Sequence, residues 1–312
     1  MLAAETTSFK SPPGKATRTE ENLFRWLRIR KQLFFVSLVA PAVLFVVIFL
    51  AVPLWRMFLL SFGSADSIAV TYDFETLDQY GRALATPPYQ RVILNTFWIS
   101  ILTTVGCVLA GYPTAYVLAT ASDTVRRALL AVLIMTMWTS ILIRTFAWRV
   151  ILGRRGLVNE TLEWIGVIDG PLSLVFNTTG TMVGMIHILL PLLILPVFAV
   201  MREIPREYML AAANLGAGPF RAWWRVYLPL SLPGVGAGAL LVFILSLGFF
   251  ITPAILGGAS DRMISNIIAL QINELNNWEF ASALAFLLLI VTLALYILYA
   301  RFMSFEQLYR SR

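Results

Sequence analysis

The 312-residue sequence is nearly without the side chains that build metal and redox centres, holding one cysteine, Cys107, and one histidine, His187. A lone cysteine has no intrachain disulfide partner, and one thiol with one imidazole falls short of a zinc ligand set. Charge is scarce as well, at 13% of residues. No GxxxxGK[ST] run is present to cradle a nucleotide phosphate; the one Gly-Lys pair, Gly14-Lys15, is followed by Ala16. The chain is therefore expected to hold no metal or cofactor and not to hydrolyse ATP. Clustered nucleophiles and acid–base groups for a membrane-embedded enzyme are missing too.

What fills the sequence is apolar: 59% of residues are hydrophobic and the mean hydropathy is +0.78. That exceeds what a soluble fold buries. Runs at 33–55, 92–119, 128–150, 181–201, 234–256 and 280–302 each supply the ~20 residues a membrane-crossing helix needs. The pattern predicts an all-α integral membrane protein with six transmembrane helices in one membrane domain, 33–303. Residues 1–32 mix both charge signs with Pro12, Pro13 and Gly14 and read as a cytoplasmic tail. They do not read as a cleavable signal, whose short apolar region would follow a basic start at once. Residues 304–312 form a second tail. Of the 24 Lys and Arg, 16 fall on the side of the termini and the 202–232 loop, and 7 on the other. The positive-inside bias places both termini and that loop in the cytoplasm of a bacterial inner membrane. The net charge of +7 thus reports topology and does not indicate nucleic acid. The outer loops carry ten of the 17 carboxylates, which suits ordinary loop solvation or a weak attraction for cations.

The 202–232 loop is the most informative segment. Pro205 suits a helix start, Glu207 suits the positive dipole end, and Gly216 sits where a left-handed cap would end the helix. Ala211, Ala212 and Ala213 offer little bulk, so a partner could approach closely. A second short helix is expected from Pro219, carrying Phe220, Trp223 and Trp224, with Pro229 and Pro233 breaking the path into the fifth span.

The run "LAAANLGAGPFRAWWRVYLPLSLPG" resembles the coupling loop of binding-protein-dependent ABC permeases. Their pattern is Glu-Ala-Ala, three residues, Gly, nine residues, then an aliphatic residue, any residue, Leu and Pro. Ala211, Ala212, Gly216, Val226, Leu228 and Pro229 match it, with Leu215 beside the glycine. Leu210 stands where the family usually has glutamate, and Glu207, three residues earlier on nearly the same face, is the candidate substitute. "NTFWISILTTVGCVLAGYPTAYVLA", "IRTFAWRVILGRRGLVN", "LGFFITPAILGG" and "NWEFASALAF" resemble the spermidine/putrescine branch. The resemblance implies an ABC importer permease of type I fold that pairs with a second, homologous permease as a heterodimer. It further implies two ATPase subunits that bind ATP and Mg, and an extracytoplasmic binding protein that delivers polyamines or, since the branch also contains such importers, another small solute. A secondary transporter would more typically show inverted repeats and need no docking loop.

Path residues are harder to choose. Asn95, Thr139, Ser140, Ser246 and Thr252 could line a route or join helices by hydrogen bonds. Trp138, Trp148, Phe249 and Phe250 suit cation-binding walls or an aromatic belt. Asp261 and Glu279, near the outer ends of spans five and six, are the carboxylates chosen to hold ammonium groups. Arg144 lies within the third span, close enough to its outer end to snorkel. His187 reads as a bundle residue or a pH-sensitive group.

Overall fold

The computed structural model describes residues 18–63 and 76–310, with side chains described at Trp26, Arg30, 37–63 and 76–301. Residues 1–17 and 311–312 of the expected tails, and the loop carboxylates Asp66, Asp73 and Glu75, lie outside the described residues.

All regular structure among the described residues is helical. In order these helices are α1 (Arg18–Leu60), α2 (Asp78–Ala85), α3 (Pro87–Thr120), α4 (Asp123–Trp138), α5 (Ile141–Ile151), α6 (Leu157–Trp164) and α7 (Thr178–Glu203). They continue with α8 (Arg206–Asn214), α9 (Pro219–Ala222), a π turn (Trp223–Tyr227), α10 (Leu228–Leu247), α11 (Ile251–Leu256), a 3-10 turn (Ala259–Asp261), α12 (Ile264–Asn273) and α13 (Trp278–Arg310). Among the described residues five helical stretches are long and apolar enough to cross a membrane, or six if the bent pair α4–α5 counts as one span. The chain divides into Met1–Met57 and Phe58–Arg312. In the first unit, helix begins at Arg18, inside the stretch expected as a tail, and the side chains from Ser37 to Arg56 are exposed. That apolar run suits lipid. In the second unit α13 likewise runs through the expected tail to Arg310.

Two expected rods are interrupted. In 128–150, Thr139 and Ser140 are extended (ψ 135° and 136°), and α4 and α5 meet at a 98° bend. Hydroxyl side chains compete with the helix for backbone groups, which favours such a break. In 234–256, α10 ends at Leu247 and the chain unwinds before α11. Backbone released from a helix inside a membrane must find partners in protein. It does: the Ser265 hydroxyl donates to the Phe249 carbonyl (2.7 Å) and the Asn266 amide to the Phe250 carbonyl (3.2 Å). By contrast Pro229 and Pro233 do not break the chain. Pro229 falls in the first turn of α10, where no amide donor is lost, and the preceding π turn absorbs the misfit through a Leu228 N–H to Trp223 carbonyl bond.

The core of the second unit is the packing of α3, α7 and α10, with Cys107, Ala115, Met185, Leu193, Val197 and Val242 sealed inside. Helices approach closely here because α10 places glycine at the contact. A Cβ at Gly238 would lie 3.2 Å from the Leu193 Cα, and one at Gly234 would lie 3.1 Å from the Val197 Cα. A second cluster joins Ala83 of α2, Ile264 and Ile267 of α12, and Phe280 and Leu284 of α13.

Candidate coupling surface and translocation path

The 202–232 loop folds as a helical handle on the α3–α7–α10 core. Pro205 is the N-cap of α8, one place earlier than a first-turn proline, and Glu207 occupies the first turn. At the other end Gly216 adopts φ 79°, its N–H bonds the Ala213 carbonyl (2.9 Å), and the Ala217 N–H bonds the Ala212 carbonyl (3.0 Å). Those two bonds make a Schellman cap, which explains the glycine.

The alanines do not act together. Ala212 is buried and turns toward the protein, whereas Ala211 and Ala213 are exposed. Glu207, Leu210 and Leu215 are also exposed, and Leu215 is 89% accessible. The motif therefore divides in two. Its first half presents an outward face with apolar side chains, while Val226, Leu228 and Pro229 belong to the π turn and first turn of α10. The joint is pinned by aromatics: Tyr112 meets Trp223 edge-on (6.0 Å), Tyr116 meets Tyr227 (5.3 Å), and the hydroxyls of Tyr112 and Ser231 are 3.0 Å apart. These contacts tie the π turn and the start of α10 to α3.

The path candidates separate into groups. Thr252 of α11 is buried, and its hydroxyl lies 3.2 Å from that of Thr145 on α5, so the two interrupted spans touch just beyond their breaks. Trp138 and Thr139 stand exposed at one break; at the other, Phe249 packs on the core and Phe250 faces a cavity. Ser246 is buried and donates to the Phe243 carbonyl (2.8 Å). Asn95 is half-buried and donates to the Ser260 carbonyl. Glu279 is half-buried in the first turn of α13.

Asp261 stands apart from its expected role. It is 6% exposed, with one oxygen accepting from the Thr178 hydroxyl (2.6 Å) and the other from the Gly258 N–H (3.0 Å). Its oxygens tie a loop to the start of α7. Among the described residues, Nε and Nη1 of Arg144 are buried without a hydrogen-bond partner, as is Nδ1 of His187, whose ring meets Trp148 edge-on at 5.5 Å. The residues that sequence reasoning missed are Asn266, Asn273 and Glu274, which line the cavity beside Phe250. Their one sequence signal was the pairing of polar residues at helical spacing in a segment bounded by Gly257-Gly258 and Asn276-Asn277.

Interrupted spans whose freed carbonyls are answered by protein, together with an exposed helical handle, mark a polytopic transport subunit. The chain belongs to the family of binding-protein-dependent transport system inner membrane components, whose family model matches residues 108–304. Among its relatives is the spermidine/putrescine transport system permease protein PotB of Escherichia coli (strain K12), 33% identical over 255 residues, covering 82% of this chain and 92% of the relative. PotB of Haemophilus influenzae is 32% identical over 226 residues, covering 72% of this chain and 79% of that protein. The fold is also that of a chain in the crystal structure of a bacterial alginate ABC transporter in complex with an alginate pentasaccharide-bound periplasmic protein, with TM-score 0.70, 18% identity, and coverage of 88% and 95%. The protein is therefore an inner-membrane ABC permease subunit, a translocation component without a cofactor of its own whose ATPase is a partner.

Proposed function

We propose that the chain is one of two membrane subunits of an ATP-driven importer of spermidine- and putrescine-like polyamines. Its second subunit is a homologous but different chain, two ATPase subunits binding ATP and Mg rest against the cytoplasmic face, and a soluble binding protein delivers cargo outside. Six crossings, with α4–α5 counted as one, leave both termini in the cytoplasm. The cargo reading is supported by the PotB relatives. The coupling reading is carried by one observation: α8 is a capped helix that turns Glu207, Leu210, Ala211 and Leu215 away from its own protein.

ATP-driven closure of the ATPases moves α8 as a lever. The aromatic joint at Trp223–Tyr227 passes that motion to α3 and α10, and the membrane subunits exchange inward-facing for outward-facing states. Glu207 supplies the carboxylate that the family carries at the position of Leu210.

Co-purification from membranes tests the assembly: an ATPase, a second permease and a binding protein retaining polyamine are expected. Uptake that proceeds without an ATPase subunit would overturn the proposal. Glu207→Ala is expected to lower transport-linked ATP hydrolysis about three- to ten-fold, on the scale of one ordinary hydrogen bond at an exposed contact. Unchanged coupling in that variant would remove Glu207 from the contact.

A further inference from the structure

A cavity of about 410 Å³ opens between α11 and α12. Its α12 wall is one helical face, Asn266, Ala269, Leu270 and Asn273, continued by the C-cap Glu274; Arg262, in extended backbone before α12, lines it too, and its opposite wall includes Phe250 and Ala254. Arg262 lies two positions before α12 and Glu274 caps its far end, so the ten-residue helix, a rise of roughly 15 Å, stands between them. The cleft therefore has a cationic end and an anionic end.

The anionic end is arranged against its own stability. Glu274 is the C-cap of α12, where the helix dipole is negative, and the last turn has no basic residue to offset it. The carboxylate is exposed and makes no hydrogen bond or ion pair among the described residues. The Asn273 amide lies along the same wall; Asn266 beside it is engaged, donating to the Phe250 carbonyl and accepting from the Met263 N–H, and the Phe250 ring, 42% exposed, lines the cleft at the α10–α11 break. A carboxylate on a negative helix end, the Asn273 amide oxygen and an aromatic face together make a site for an organic ammonium group. Asp261, whose oxygens are already engaged, does not compete for it.

We infer that this cleft is a way-station for cargo, in which Glu274 and the Phe250 ring hold one ammonium group of a linear polyamine. Arg262 repels the cation from the other end. The opposed charges keep the affinity low, which a transit site needs if cargo is to leave it. This rests on the polyamine reading of the cargo.

The test uses the assembled transporter in proteoliposomes with loaded binding protein and a diazirine-bearing spermidine as probe. Photolysis is expected to label the 250–274 segment. Glu274→Gln should lower capture about five-fold and Glu274→Asp should retain most of it, on the scale of a partly exposed ion pair. Arg262→Gln should raise capture. Both positions are exposed, so thermal unfolding should match the parent, and opposite signs at the two ends are not what a packing role would give. Equal capture in all variants, or label confined to another segment, would overturn the cleft while leaving polyamine import intact. Failure of the parent transporter to take up spermidine would overturn the cargo reading and the cleft with it.

Discussion

Gly216 offers a backbone-only perturbation of the handle. Its φ of 79° lies in the left-handed region, and a Cβ added there meets nothing within 4 Å. A substitution therefore acts through conformation alone. Forcing an L-residue into that region costs about 1–2 kcal/mol, which shifts the capped-to-frayed ratio by roughly 5- to 30-fold. Helix α8 has nine residues, fewer than the ~12–15 at which an isolated helix becomes even marginally stable, so its end depends on the cap. The expected order of cap stability is Gly, Asn, Ala, Val, because asparagine tolerates the left-handed region and a β-branched residue does so worst. Hydrogen exchange at the amides of residues 216 and 217 reads the cap, whose two bonds they donate. Transport-linked ATP hydrolysis reads the coupling. Both should fall in that same order. If Gly216→Val exchanges no faster than Gly216→Asn, the cap argument is wrong; if exchange follows the order but hydrolysis does not, α8 is not the lever.

Asp261→Ala removes the acceptor of both the Thr178 hydroxyl and the Gly258 N–H, and should destabilise the protein by about 1–3 kcal/mol. Thermal unfolding in detergent should show it, while spermidine uptake per folded transporter stays near the parent value; a selective loss of uptake would return Asp261 to the path. Thr145 and Thr252, linked at 3.2 Å across the two interrupted spans, should show a coupling energy of about 0.6 kcal/mol in a double-mutant cycle with valine. A cycle that closes at zero would mean that the spans are not joined there.

How much of this was legible in the sequence depended on how local the controlling physics is. Gly216 could be read because one residue type satisfies one backbone conformation, and the place of the handle could be read because motif spacing is local. The long apolar runs could be read because membrane thickness fixes their length. The breaks at Thr139–Ser140 and after Leu247 could not, since a hydropathy window averages over residues that remain apolar or small whether the helix continues or stops.

The same limit bears on the choice of carboxylate. Sequence position put Asp261 and Glu279 near the outer ends of spans, but position says nothing about whether an oxygen is already engaged. Asp261 is committed through a partner 83 residues away, and the links Thr145–Thr252 and Asn95–Ser260 join residues 107 and 165 apart. Glu274 differs because no such partner reaches it among the described residues, so its charge stays available in a cleft that only the folded α11–α12 pair creates. An engaged carboxylate and an available one are the same letter in a sequence, and long-range hydrogen bonding is what distinguishes a structural tie from a group free to meet cargo.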